Sequence, residues 1–186
     1  MWITFDPVFG PSPTLFAAGT MVLNPAYPAR GQSDPEDLGM IVLDAPVTGI
    51  SPAALPALGL LDRLFADGEL RNTLFTTVGY GAADTVFGGG APDPNENRGI
   101  RRFATEGFDA LEPYLLRLSQ NEVFSYGGGN HGDSGGPNFL GADETETSIL
   151  AGVGIEGDPW GISQNVAYRL DTPEARAFLG QFVLLP

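Results

Sequence analysis

The run Gly127-Gly128-Gly129-Asn130-His131-Gly132-Asp133-Ser134-Gly135-Gly136-Pro137 gathers what covalent catalysis by a hydroxyl requires. A serine hydroxyl is a weak nucleophile unless a base takes its proton, and the oxyanion formed on attack needs backbone N–H donors at close range. Glycines on both sides of Ser134 permit both, because a residue without Cβ tolerates the dihedrals of a tight loop. Ser134 is therefore the candidate nucleophile, and the N–H groups of Gly132 and Ser134 are the candidate oxyanion hole. A flexible glycine turn would not need this contiguous Gly-Asp-Ser-Gly-Gly-Pro order.

A base is harder to find. The only histidine is His131, three residues before Ser134. A general base must reach the serine on one side and be held by an acid on the other, and a side chain on the nucleophile's own loop is badly placed for both. His131 reads instead as a rim or substrate-contact residue. The string also satisfies Gly-x-Ser-x-Gly, the nucleophile elbow of α/β-hydrolases, but that elbow leads into a helix and is followed by an acid and then a histidine. Here Pro137 and Asn138 follow, and no histidine lies beyond Ser134.

Gly132 to Pro137 resembles the nucleophile motif of the trypsin/chymotrypsin family. Ser33-Asp34-Pro35-Glu36-Asp37-Leu38-Gly39-Met40-Ile41-Val42-Leu43 resembles that family's catalytic aspartate followed by an apolar strand, which gives Asp37 the orienting role. Asp37 precedes Ser134 by 97 residues, close to the roughly ninety of the chymotrypsin template. Thr77-Val78-Gly79-Tyr80-Gly81 resembles the Gly-aromatic-Gly strand that opens the family's second barrel. Ala151 to Ile155 resembles the strand beside the substrate pocket, and Ala167-Tyr168-Arg169-Leu170 with a last helix resembles the family's ending.

The resemblance implies an all-β fold of two six-stranded antiparallel β-barrels of chymotrypsin type, the first incomplete, plus a C-terminal helix. Residues 1–65 are expected to hold the remainder of the first barrel and a crossover, and residues 66–186 the second barrel and the helix. The implied activity is that of a secreted, monomeric serine endopeptidase that acts on polypeptides through an acyl-enzyme, with no cofactor and no metal. The floor of its specificity pocket would fall on Gly128, so the acid that attracts Arg or Lys is missing there. Gly154, Ile155, Glu156 and Gly157 would line the pocket, with His131 at its mouth, and a small or apolar substrate side chain is expected.

The chain departs from the family at the histidine, which should lie upstream of Asp37; Met1 to Glu36 contain none. All-β barrel enzymes run to roughly 200–250 residues, and the shortfall in this 186-residue sequence is expected at the front. The chain as given is expected to be inactive. The alternative is a non-catalytic protease homologue acting as a peptide- or protein-binding module. The family also sets a newly cut N-terminal ammonium against the acid before its serine, here Asp133; without that partner the Asp133 carboxylate is expected to lack compensation and the oxyanion loop to be disordered.

The elements that must position these residues read mostly as strands. With 26 Gly and 16 Pro spread between short apolar runs, strands and turns suit the chain better than long helices. Strands are expected over Trp2 to Phe5, Leu15 to Leu23, Leu38 to Leu43, Leu74 to Tyr80, Leu115 to Leu118, Ile149 to Ile155 and Asn165 to Leu170. Pro52 to Phe65 stays open between a short helix and a crossover. Val86-Phe87 leads into a Gly- and Pro-rich surface loop, and Asp143 to Thr147 reads as an exposed acidic turn without calcium-ligand spacing. Thr172 and Pro173 start a helix whose apolar face carries Ala175, Phe178, Leu179, Phe182 and Val183.

Charge excludes one class of partner. A formal net charge of −14, with no lysine, leaves no basic surface for nucleic acid. No apolar run approaches the roughly 18 residues that span a bilayer, and no membrane contact is expected. With no cysteine, disulfides and thiolate chemistry are absent from these residues.

Overall fold

The computed structural model describes residues 1–12, 16–27, 35–83, 98–158 and 161–186, with the side chain of Phe16 outside the description. The loop expected after Val86 and Phe87, and Ser33 and Asp34 of the Asp37 segment, lie outside the described residues. Nine strands follow in chain order: β1 (Trp2–Thr4), β2 (Phe16–Leu23), β3 (Gly39–Leu43), β4 (Leu74–Gly79), β5 (Arg102–Leu111), β6 (Leu115–Ser119), β7 (Pro137–Leu140), β8 (Leu150–Gly157) and β9 (Gln164–Arg169). The helices are α1 (Leu60–Ala66) and α2 (Pro173–Leu179).

Strands β4 to β9 close into a six-stranded antiparallel barrel in the order β4-β5-β6-β9-β8-β7, which returns to its start where Phe75 pairs with Leu140 and Thr77 with Asn138. Closure leaves no unpaired edge. Strands β1, β2 and β3 form a separate three-stranded antiparallel sheet. The structure is thus all-β with one complete barrel, a second sheet and few helices.

Alternation along the strands builds two cores. Side chains of successive residues leave a strand on opposite faces. Leu116, Leu118 and Ala167 join Phe75, Leu61, Leu70 and Ala151 in one cluster, while Leu115, Val166, Tyr168 and Leu170 join Leu38 and the buried face of α2 in another. Leu38 therefore ties the start of β3 to the barrel. A second tie joins the segment after β1 to the barrel, where Tyr80 Oη donates to the Asp6 carbonyl at 2.6 Å and Phe9 N donates to the Gly99 carbonyl at 2.6 Å.

The open segment around Pro52 resolves into both alternatives. Ala54 N donates to Ser148 O and Leu150 N to Ala54 O, pinning an extended crossover to β8, and α1 follows with Leu61 fully buried. Behind α1, Arg169 is 2% exposed and Asp171 fully buried. Arg169 Nε and Nη2 donate to the two Asp171 oxygens at 2.9 and 3.0 Å, and Nη2 also meets Asp62 at 2.7 Å. Asp171 Oδ2 further accepts from Leu61 N at 2.8 Å, so one carboxylate holds both the guanidinium and the first turn of α1.

Helix α2 begins as its sequence requires, with Thr172 Oγ1 accepting from Ala175 N at 3.2 Å and Pro173 in the first turn. Ala175, Phe178 and Leu179 are buried as expected and Phe182 packs on the same cluster, but the helix stops at Leu179 and Val183 is exposed beyond it. Thr172→Ala is expected to cost about 1 kcal/mol. Thermal denaturation should show a fall in Tm of about 2–4 °C, with Thr172→Ser close to the parent; equal losses in both variants would refute the cap.

Candidate functional site

The Ser134 loop is fixed by its own backbone. Asp133 N donates to Asn130 O at 2.9 Å and Gly136 N to Asp133 O at 2.8 Å, while Gly135 N and Gly154 N exchange bonds with β8 and the loop at 2.7 and 2.9 Å. Gly132 (φ 97°) and Gly135 (φ 86°) hold left-handed conformations that a side chain would strain. The N–H groups of Gly132 and Ser134 take no part in these bonds. Ser134 is exposed.

Asp133 is half-buried and does not stand uncompensated. Its Oδ1 accepts from Gly81 N at 2.7 Å and its Oδ2 from Asn130 N at 2.9 Å. A carboxylate held by backbone N–H groups has its charge offset without a cation. The expectation of an unsupported acid therefore fails, because the backbone after β4 supplies the donor. It can do so only where residue 81 lacks a side chain, since a Cβ there would stand 2.6 Å from the Asp133 carboxylate.

Ser134 lies at a cavity of about 140 Å³ lined also by Gly129, His131, Asp133, Ile155, Glu156 and Asn165, among others. The lip formed by Gly154 to Gly157 belongs to β8, whose pairing with β9 slips between Gly154 and Glu156. Such a bulge re-aims side chains beside a site. Behind this cavity lies a buried polar layer. Glu106 of β5 is fully buried; Asn165 Nδ2 donates to its Oε2 at 3.1 Å and Gly129 N to its Oε1 at 3.3 Å. Burial pushes the Glu106 carboxyl up to about 8, against the lowering effect of bonds from Asn165, Gly129 and Gln120, and nearby Asp133 adds to the rise.

No family model matches the chain, and no curated protein matches it by sequence. Among solved structures, the chain superposes on heparin-binding protein, a chymotrypsin-fold serine protease homologue, with a TM-score of 0.60. The match covers 92% of this chain and 68% of that one, at 17% identity. The fold is chymotrypsin-like.

Within this chymotrypsin-like fold, the residues singled out in the sequence divide into three places. Ser134, His131, Gly154, Ile155, Glu156 and Gly157 meet around the one cavity. Gly128 lines a second cavity, of about 220 Å³, with Gly79, Gly81, Phe103 and Asp133. Asp37 stands just before β3, half-buried beside Leu38 on the other sheet, and is not among the residues that line the first cavity. Among the described residues, no group of His, Asp or Glu is arranged to hold a metal ion.

Nothing in the sequence marks Glu106, Gln120, Asn138 and Asn165 as members of a site. A polar residue inside a strand carries no sequence mark that separates burial from exposure, because its partners are distant in the chain. Glu106 and Asn165 are 59 residues apart.

Proposed function

We propose that this chain is the nucleophile-bearing part of a serine endopeptidase. Ser134 attacks the peptide carbonyl, the N–H groups of Gly132 and Ser134 receive the oxyanion, and Asp37 orients a histidine that takes the serine proton and returns it to the leaving amine. Gly154 to Gly157 pair with extended substrate. The observation that carries this reading is the exposed Ser134 on a loop where the N–H groups of Asn130, His131, Asp133, Gly135 and Gly136 are bonded, while those of Gly132 and Ser134, the two an oxyanion needs, take no bond among the described residues. His131, exposed at the rim of the cavity, is not given the base's role.

That last point favours one specific second reading, a peptide-binding module of the same fold that does not cut. Heparin, which names the structural neighbour, is not carried over, since a polyanion would meet a chain of net charge −14. Reaction with a fluorophosphonate separates the two readings. In a protein containing the base, an adduct is expected on Ser134 and absent from Ser134→Ala, read by mass spectrometry; no Ser134 adduct sinks the endopeptidase. The 186-residue chain alone is expected to turn over no peptide, and Ser134-dependent hydrolysis by it would overturn the assignment of the base.

A further inference from the structure

Gly128 carries no acid, but the space in front of it is not empty. A Cβ on Gly128 would stand 2.2 Å from Glu106 Oε1 and 2.2 Å from Gln120 Nε2. The carboxyl group of β5 therefore fills the place that a side chain on the 127–130 segment would take, reaching it from the neighbouring strand. Its partners are neutral: the amides of Asn165 on β9 and Gln120 after β6, and the N–H of Gly129. Asn138 of β7 completes the layer, its terminal amide 3.1 Å from Glu106 Oε2. Gln120 gives its Nε2 to Gly129 O at 2.7 Å and keeps a buried Oε1 without a hydrogen-bond partner. Among the described residues, the charged group that bears on Glu106 is another acid, Asp133.

Two of Glu106's direct partners, Asn165 and Gly129, also line the Ser134 cavity, so the carboxyl lies one hydrogen bond behind its wall. The wall itself carries Asp133, Glu156 and Asp158, while the cation at its rim, Arg98, is outside the lining and donates Nε to the His131 carbonyl at 3.2 Å. We propose that Glu106 supplies from β5 the negative charge that Gly128 lacks, and makes the Ser134 cavity a pocket for a cationic side chain, an ammonium or a guanidinium. This rests on the reading that the cavity receives a substrate side chain beside Ser134, and it replaces the small or apolar preference that Gly128 suggested.

Cation binding and loss of the Glu106 proton favour each other, since the ionised carboxylate attracts the ligand and the bound ligand stabilises the carboxylate. With its carboxyl raised to about 8, Glu106 is mostly protonated at pH 7 and mostly ionised at pH 9, so a ligand that requires the ionised form binds about tenfold more tightly at the higher pH. The other groups that bear on it are Asp133 and the neutral amides.

The test is calorimetric titration of the protein with benzamidine, which stays cationic from pH 7 to pH 9, and with benzamide, its neutral counterpart. Benzamidine is expected to bind more tightly than benzamide, and about tenfold more tightly at pH 9 than at pH 7. Glu106→Gln, of the same shape, should lose about tenfold in affinity at pH 9 and lose the pH dependence, while benzamide is unaffected. Failure of benzamidine to bind, equal binding of the two compounds, or a pH dependence that persists in Glu106→Gln and so belongs to another group would each overturn the proposal. If Glu106→Gln does not fold, the pH profile and the benzamidine preference of the parent decide. Glu106-dependent amidine binding without a Ser134 adduct would remove the endopeptidase and support the pocket; a Ser134 adduct with amidine binding indifferent to Glu106 would remove the pocket alone.

Discussion

Asp171→Ala is expected to destabilise the protein by about 3–5 kcal/mol, the range for removing one partner of a buried ion pair, and to lower Tm by on the order of 10 °C. The loss is large because Asp171 is fully buried and serves two elements at once. Without it the buried Arg169 guanidinium keeps only Asp62, whose side chain is 64% exposed, and carbonyl oxygens of the turn after β5. Leu61 N at the start of α1 is left without its acceptor. Asp62→Ala removes the exposed partner of the same guanidinium and should cost under about 1 kcal/mol. Chemical denaturation of both variants checks the contrast, and similar losses in the two would show that Arg169 does not depend on the buried acid.

The second large effect falls on the site. Asp133→Ala takes the acceptor from Gly81 N and Asn130 N together, and these bonds set the path of the chain through Gly132 and Ser134. In a protein containing the base, the reaction of Ser134 with a fluorophosphonate should slow by about 100-fold, the size of effect seen when an oxyanion donor is lost. Because the barrel core does not involve this loop, Tm should fall by only a few degrees. Amide exchange at Gly81 and Asn130 should quicken by more than about tenfold, a readout independent of the chemistry. Unchanged labelling and exchange would mean that Asp133 does not organise the loop; a loss of labelling that merely follows unfolding would mean that it organises more than the loop.

The strands that the sequence disclosed are those whose apolar residues alternate or run together: β1, β2 and β3, and in the barrel β4, β6, β8 and β9. The two it concealed are β5 and β7. In β5 the interior positions include Glu106 and Gly107, which is packed so closely by Tyr126 that a Cβ would stand 2.4 Å from its ring. In β7 the one fully buried residue is Asn138. Period-two hydrophobicity cannot reveal a strand whose inward residues are polar or lack a side chain. These strands supply Glu106 and Asn138 to the layer beneath the cavity, so the signal is weakest where the fold turns from packing to a site.

Local sequence by itself determined what depends on near neighbours. The glycines around Ser134 permit the loop, Thr172 and Pro173 start α2, and the acidic turn after β7 is exposed because nothing in it can be buried. Tertiary structure decided what depends on partners far along the chain. Closure of β7 onto β4 sets the loop before β7 against Gly81, whose N–H gives Asp133 the partner that the sequence did not show. The pairing of β5, β6 and β9 brings Glu106 to the empty place at Gly128. A buried polar group persists only if its hydrogen bonds are met, and whether they are met is a property of the closed barrel rather than of any segment of its sequence.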